Sequence, residues 1–453
     1  MSRRADADPY ELRPDAVREP PRSFRSVLRS VGPGIVMASA VVGSGELVAT
    51  TVLGAENGYR LLWLILLSCL IKVVVQNELG RYSIGTGETT LQAFDHVPGP
   101  RWIVGWVVWA WFGMVCAVLF AIGGMLGAVA EVLNMIVPEL SIGAGVWIVA
   151  AVTLALLSYG RYSFIERASR SLVVVFTTMT LLGAVLLFQQ PELISFTGLA
   201  EGLSFQLPEG GLSTAVTVFG GTGVGSGELV MYPYWCIEKG YARFSGKRDA
   251  TSVWSARAHG WIRVMGIDVI SSLVIYTFAT LAFYLLGAGV LHGQATVPQG
   301  SDMVSTLSTM FTQTLGAWSR PLFLAGAVAV LYSTVFAVTA AHSRLFTDFL
   351  GMVGVCDSRN FAQRTRVMRL LLLPLILIPC LTFLYVREPV VMVKISGIGQ
   401  AMMLPVIGFS ALYLRYRRLP AEIVPRGWLT LALWITSAMM LLIMLASLVY
   451  QLA

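Results

Sequence analysis

The chain has 453 residues, of which 56% are hydrophobic and only 13% are charged, and its mean hydropathy is +0.72. A soluble protein carries about 25% charged residues, so this composition excludes an array of soluble domains, and it also excludes a disordered or collagen-like chain. Five scattered cysteines form no spaced pattern, which excludes a disulfide-stapled scaffold. A polytopic membrane protein remains, with the lipid bilayer as its surroundings.

Eleven apolar stretches are long enough to cross a hydrocarbon core about 30 Å thick. They are apolar on all sides rather than in alternation, so we expect an all-α protein and not a β-barrel. The predicted spans cover about 31–56, 59–79, 102–134, 143–160, 171–189, 212–236, 262–290, 320–343, 367–386, 389–414 and 428–450.

The lysines and arginines orient these spans. With residues 1–30 on the inside, 27 of the 32 basic residues fall on that side, three fall outside and two lie within spans. The positive-inside rule predicts such a bias. A wrong number of spans would have placed basic loops on both sides of the membrane, and the bias would not appear. We therefore expect eleven spans with a cytoplasmic N-terminus, in the plasma (inner) membrane. A monomer is compatible with this plan, which leaves the oligomeric state open.

Residues 1–30 mix arginines with acidic residues and prolines, which predicts a flexible cytoplasmic tail. No short apolar segment precedes the first span, so we expect no cleaved signal peptide. The net charge of +7 reflects the same topological bias and requires no nucleic-acid partner.

A repeat is the most informative feature. Residues 42–48 and 224–230 both read Val-Gly-Ser-Gly-Glu-Leu-Val, an offset of 182 residues that carries the middle of span 1 to the middle of span 6. Each half then holds five spans, so the halves have opposite orientations, as in the inverted repeats of alternating-access transporters. The predicted units are 31–190, 191–414 and a final unit, 415–453, that carries span 11 and its preceding loop.

Both copies place glycines and a carboxylate inside an apolar helix. Each glycine costs a helix about 1 kcal/mol relative to alanine, so we expect both helices to unwind and to expose backbone groups to a polar cavity. A buried carboxylate there requires a cation, a partner or water. The predicted substrate-binding residues are Gly43, Ser44, Gly45, Glu46, Gly225, Ser226, Gly227, Glu228 and Gln400, with Glu46 and Glu228 as the metal ligands.

Several motifs of the first two spans carry a family resemblance. They are Gly-Pro-Gly at 32–34, Gly-Tyr-Arg-Leu-Leu-Trp at 58–63, Gln-Asn-Glu-Leu-Gly at 76–80 and Ile-Gly-Thr-Gly at 84–87. Over about residues 32–92 the chain resembles the Nramp family of divalent-metal transporters, and the later half matches loosely. The resemblance implies the leucine-transporter fold, with discontinuous helices 1 and 6 meeting at the substrate. It also implies a transporter rather than an enzyme.

The departures from the family pattern lie at its functional positions. Where the family has Asp-Pro-Gly-Asn in helix 1, this chain has residues 43–46, Gly-Ser-Gly-Glu; where the family has Met-Pro-His in helix 6, residues 225–227 are Gly-Ser-Gly. Ala121 and Gly124 stand at the positions of the acidic residues that serve proton movement in span 3. The resemblance therefore implies metal transport without the usual soft ligand and without the usual proton coupling.

Carboxylates, serine hydroxyls and freed carbonyls form an all-oxygen set, which suits Mg²⁺ or Mn²⁺. An amino-acid-like or other small organic solute is the alternative, because bare amides at a helix N-terminus also bind a carboxylate. A binding protein on a transporter scaffold and a channel are further alternatives. No nucleophile motif, phosphate loop or cofactor motif is present in the sequence, so no cofactor is expected.

Lys72, Asp268 and Lys394 fall inside spans 2, 7 and 10. We expect Lys72 to pair with an acid such as Glu78, Asp268 to pair near the inner surface, and Lys394 to extend to the outer interface. In span 10, residues 396–400 are predicted to unwind around Gln400, with Met403 as the alternative residue at the site.

Overall fold

The computed structural model describes residues 8–159, 163–206, 212–249, 251–357 and 360–452. Eleven long helical elements occupy this part of the chain in the order of the predicted spans. They are α1, in the consecutive segments Pro33–Val41, Val42–Thr50 and Thr51–Asn57; α2, Leu62–Thr86; α3, Trp106–Ile136; α4, Ile142–Tyr159; α5, Ser163–Leu187; α6a, Leu212–Gly221, and α6b, Ser226–Lys239; α7, Ser252–Leu286; α8, Ser319–Met352; α9, Phe361–Val386; α10, Pro389–Arg417; and α11, Gly427–Leu452.

Short elements lie in the tail and in the connections. A two-residue hairpin pairs β1, Arg101–Trp102, with β2, Val104–Gly105, in antiparallel register. The short helices are Pro14–Ala16, Phe24–Ser30, Thr90–Asp95, Phe196–Glu201, Tyr241–Ser245, Gly287–Leu291, His292–Gln294, Gly300–Asp302, Met303–Leu315 and Ala421–Ile423.

The helical class and the number of spans are confirmed. Within the described residues, seven continuous helices are long and apolar enough to cross a membrane, and α4 and α5 are shorter apolar helices. α1 and α6 complete the set, each divided into segments. The chain is therefore an integral, multi-pass membrane protein.

The start of α1 is held by a carboxylate from α7. Asp268 is fully buried and accepts hydrogen bonds from the backbone N–H groups of Gly32 (2.8 Å) and Gly34 (2.5 Å) and from the hydroxyl of Tyr232 (3.1 Å). The expected surface pairing of Asp268 was wrong. The N–H groups at a helix start have no partner within the helix, and an anion satisfies them and the helix dipole together.

Part of the tail contacts the helices, while residues 1–7 lie outside the described part. The ring of Tyr10 lies 4.4 Å from the guanidinium of Arg364, and its hydroxyl donates to Glu238 (3.2 Å). Arg364 also forms an ion pair with Asp8 at 2.6 Å, and the indole of Trp261 donates to the carbonyl of Arg18 at 2.9 Å. Aromatic and charged tail residues thus find partners on α6b, α7 and α9.

Buried charges form pairs between helices that are distant in sequence. Glu78 on α2 is hydrogen-bonded to the guanidinium of Arg415 on α10, through Nε at 2.8 Å and through NH2, and Arg81 Nε lies 3.4 Å from the same carboxylate. Lys394 forms an ion pair with Glu56 at 2.8 Å, and both side chains are partly exposed. The pairing of Glu78 means that the partner expected for Lys72 is already engaged.

We expect Asp268→Asn to lower the free energy of unfolding by about 2–3 kcal/mol, because the amide removes the charge and turns one acceptor into a donor opposite a backbone N–H. Thermal unfolding of the purified protein in detergent measures this. Asp15→Asn, an exposed acidic residue of the tail, is the control and leaves the midpoint unchanged. Equal midpoints for Asp268→Asn and the unmodified protein would contradict the role of Asp268.

Tyr10→Ala removes a cation–π contact and a hydrogen bond, so the tail detaches more often and its arginines become roughly tenfold more susceptible to trypsin. The rate of cleavage after Arg13 and Arg18, followed by mass spectrometry, measures the change. Tyr385→Ala, at a side chain 91% exposed, is the matched control. If the two variants are cleaved at the same rate, Tyr10 does not anchor the tail.

Candidate functional site

α6 is interrupted in its middle. α6a ends at Gly221, and α6b begins at Ser226 after an extended Gly225 (φ −72°, ψ 175°). Between them Gly223 has φ +61°, a left-handed conformation that glycine adopts without the steric cost of a side chain. The predicted break in helix 6 is therefore present, and it lies at the second copy of the repeat.

The first copy of the repeat does not unwind. Residues Val42–Thr50 form a π-helical segment, continuous with Pro33–Val41 before it and Thr51–Asn57 after it. The expected break in helix 1 was wrong, and the residue before the repeat explains why. The counterpart of Gly223 is Val41, a β-branched residue that disfavours positive φ and has helical angles here (φ −64°, ψ −45°). Wide π turns of this kind are frequent at functional sites.

Glu46 joins α1 to the break in α6. It is fully buried, and its Oε1 accepts hydrogen bonds from the backbone N–H of Gly223 (2.9 Å) and the hydroxyl of Thr280 on α7 (2.8 Å). Its Oε2 accepts from the hydroxyl of Thr50 at 3.0 Å. The carboxylate thus satisfies an N–H that the interruption leaves without a helical partner.

Glu228 lies in the first turn of α6b and is half-buried. Its carboxylate bends back over the break, with Oε2 only 2.6 Å from where a β-carbon on Gly225 would stand. Within the described residues, no group of three or more His, Cys, Asp or Glu side chains could hold a metal ion. A cation bound near Glu46 and Glu228 would therefore need backbone, hydroxyl or amide oxygens as well.

Gln400 reaches the break from α10. Its side-chain oxygen accepts from the N–H of Gly227 at 3.2 Å, and its backbone carbonyl accepts from the hydroxyl of Ser226 at 2.6 Å. Its side-chain N–H donates to Ser396 at 3.3 Å. α10 is continuous through this segment, so its predicted unwinding was wrong. The side chain of Ser44 lies outside the described residues.

α6a packs tightly against α10 beside the break. A β-carbon on Gly220 would overlap the carbonyl oxygen of Gly397 and stand 2.6 Å from the backbone N of Ala401. A β-carbon on Gly397 would in turn overlap the carbonyl oxygen of Thr217 and lie 2.7 Å from its methyl group. Small residues on both helices allow this approach, which fixes the carbonyl end of α6a next to Gln400.

Sequence reasoning missed Lys72 as a site residue. It is fully buried on α2, and its ammonium donates to the backbone carbonyls of Phe219 and Thr222, the latter at 2.7 Å. Phe219 lies in the last turn of α6a, and Thr222 directly follows the end of that helix. The only sequence signal was a lysine in the middle of an apolar span, which by itself indicates a partner but not its identity.

Glu131 on α3 was also missed. The side chain is almost completely buried, one carboxylate oxygen interacts with the backbone N–H of Val304, and the other has no partner among the described residues. It lies seven positions, about two turns, beyond Gly124. α3 therefore carries an acidic residue, although at a different level from the positions expected in the sequence.

Comparisons with known proteins agree with this architecture. The family model for natural resistance-associated macrophage protein-like proteins, Nramp, matches residues 34–450. An uncharacterized protein of Pasteurella multocida is 25% identical over 342 residues, or 74% of each chain. The divalent metal cation transporter MntH of a Nostoc species is 23% identical over 426 residues, covering 91% of this chain and 89% of its own.

Solved structures show the same fold. The manganese transporter of Eremococcus coleocola, in complex with an aromatic bis-isothiourea substituted compound, aligns with a TM-score of 0.65 and 17% identity over 97% of this chain and 90% of its own. MhsT in complex with L-phenylalanine aligns with a TM-score of 0.57 and 16% identity over 95% of this chain and 100% of its own. The fold is thus the predicted leucine-transporter-like arrangement of ten helices with an eleventh appended.

Gly220→Ala should lower the free energy of unfolding by about 1–3 kcal/mol, because the added methyl forces α6a away from α10. Gly266→Ala is the matched control on α7, where a β-carbon meets nothing within 4 Å. That variant should keep or gain stability, since alanine favours a helix by about 1 kcal/mol. Thermal midpoints in detergent compare the two. Equal shifts in both would show that the α6a–α10 contact tolerates a side chain.

Proposed function

The chain belongs to the Nramp family, whose model matches it almost from end to end, and we propose that it is a secondary transporter of a hard divalent cation, Mg²⁺ or Mn²⁺. The cation binds between the π-helical segment of α1 and the break in α6 and crosses by alternating access. The positive-inside bias supports a location in the plasma (inner) membrane with the N-terminus in the cytoplasm.

The break in α6 carries the proposal. At residues 222–225 the helix exposes backbone groups in the middle of a spanning element, which a membrane protein tolerates where they line a cavity or bind something. Glu46, Glu228 and Gln400 supply carboxylate and amide oxygens around the same residues. Hard divalent cations prefer oxygen ligands, and Mg²⁺ in particular keeps several waters and needs few protein ligands.

The MntH relatives are divalent metal cation transporters, which supports a divalent cation here as well. The residue set differs from the pattern expected for the family, with Ala121 and Gly124 in place of acids on α3. We therefore propose that transport does not depend on a proton gradient. Glu131 lies about two turns farther along α3, and its substitution tests whether transport is independent of a proton gradient.

A small carboxylate-bearing solute, such as an amino acid, is the second candidate. The observation in its favour is the start of α6b at the break, where N–H groups lack helical partners, together with the buried ammonium of Lys72 at the carbonyl of Thr222. Such groups bind a carboxylate in other proteins. The fold accommodates both substrate classes, so the choice rests on flux measurements.

Proteoliposomes containing the purified protein should take up Mg²⁺ or Mn²⁺, with and without an imposed pH gradient. Glu228→Gln should reduce the rate at least tenfold, or about 1.4 kcal/mol, because it removes a carboxylate from the cation site. Glu192→Gln, at an exposed loop residue, is the matched control and keeps the full rate.

Uptake of an amino acid without uptake of either metal would favour the second candidate. Binding of metal without flux would indicate a binding protein on a transporter scaffold. Flux of divalent metal that persists in Glu228→Gln would remove the proposed site. Flux that requires a pH gradient and fails in Glu131→Gln would remove the proposed independence from protons.

A further inference from the structure

Lys72 has an unusual set of partners for a lysine in a membrane helix. Among the residues that the structure describes, its ammonium forms no ion pair with a carboxylate; it donates instead to the carbonyl oxygens of Phe219 and Thr222. The ring of Phe219 lies beneath it, with its centroid 4.9 Å from Nζ. Ser68, one turn earlier on α2, has its hydroxyl 3.5 Å from the same two carbonyls.

These carbonyls are the ones that the break in α6 leaves without helical partners. The last turn of a helix has unpaired C=O groups and carries the negative end of the helix dipole. Water satisfies such groups at a protein surface, whereas inside a membrane protein a buried donor or a cation must do so. Backbone carbonyl oxygens are also the ligands that replace the hydration shell of K⁺ in channel filters. The ammonium of Lys72 is thus bound by the kind of oxygen ligand, the backbone carbonyl, that also binds monovalent cations.

The negative charges around the break also require a cation. Glu46 and Glu228 both interact electrostatically with the Lys72 ammonium. Glu46 accepts from the N–H of Gly223, and Lys72 donates to the carbonyl of Thr222, so carboxylate and ammonium bind the two polar ends of the same peptide group. Burying an ammonium costs several kcal/mol unless it is paired, which these carbonyls and carboxylates offset.

The polar face of α2 extends beyond the lysine. Ser68, Lys72 and Gln76 are spaced four residues apart on one side of the helix and all are fully buried. The side-chain amide of Gln76 has no hydrogen-bond partner among the described residues. The face of α2 that holds the end of α6a therefore carries a further polar group, the Gln76 amide, that is not engaged by the two carbonyl contacts.

We propose that Lys72 acts as a tethered monovalent cation. Its ammonium fills a carbonyl site at the end of α6a, so neither the folded protein nor its transport cycle requires Na⁺ or K⁺. Lys72 is a positioning residue, because it holds the break and sets its charge without contacting the substrate. The flux measurement that tests this inference depends on the proposed transporter function. The stability measurement does not, because it uses no divalent metal.

The test is Lys72→Ser, which removes the ammonium and leaves room for a cation with water. The unmodified protein should have the same thermal midpoint in NaCl, KCl and N-methyl-D-glucamine chloride at equal ionic strength. The variant should lose roughly 5 °C in N-methyl-D-glucamine chloride and recover at least about half of that loss in NaCl or KCl. Its uptake of Mg²⁺ or Mn²⁺ should become dependent on the same ion.

Lys394→Ser is the matched control, because Lys394 is partly exposed and paired with a carboxylate rather than with carbonyls. Its midpoint should respond equally to the three salts. If Lys72→Ser cannot be purified in one of the salts, membranes that contain it are solubilised separately in each of the three salts. The amount of monodisperse protein in each extract is then measured by size-exclusion chromatography.

Recovery of Lys72→Ser in Na⁺ or K⁺ but not in N-methyl-D-glucamine would support the proposal. Equal stability in all three salts, or failure to recover folded protein in any of them, would overturn it. If Lys72→Ser shows cation-dependent stability but the unmodified protein transports no divalent metal, the role of Lys72 as a tethered cation stands and the proposed transport function is rejected. Failure of the inference and failure of the proposed function can therefore be told apart.

Discussion

The structure depends on the need to satisfy backbone groups where no water is available. The interruption of α6 creates unpaired carbonyls on one side and unpaired N–H groups on the other, in the middle of a spanning helix. Three side chains from three other helices answer that need: Lys72 binds the carbonyl end, Glu46 binds the N–H of Gly223, and Gln400 binds the N–H of Gly227. The polar site is in this sense a consequence of the break.

Much of the fold could be predicted because its signals are local or additive. Length, apolarity and the distribution of arginines define eleven spans, and the duplicated heptapeptide identifies the two helices that matter. Identical sequence nevertheless gave different conformations. Residues 42–48 lie in a π-helical segment, whereas residues 224–230 cover the end of the break and the start of the α-helix at Ser226. The residues that differ, Val41 and Gly223, directly precede the two copies, so a comparison of the identical heptapeptides does not include them.

The partners of buried charges could not be predicted in the same way. Asp268 binds the start of α1, more than 230 positions away, and Glu78 meets Arg415 across 337 positions. Lys72 donates to backbone carbonyls, and because every residue has a backbone carbonyl, the sequence does not indicate which ones. An apolar span shows that a charge within it needs a partner, but which helix provides that partner follows from packing.

The reciprocal fit of Gly220 and Gly397 has a mechanical consequence. Where two backbones approach so closely, neither can slide or rotate past the other, so α6a and α10 form one rigid unit. α6b is connected to that unit through residues 222–225, which include the left-handed Gly223, and through polar contacts, which exchange more easily than closely packed backbones. We infer that a rearrangement of α6 would be divided at Gly223, with α6b moving relative to the unit formed by α6a and α10.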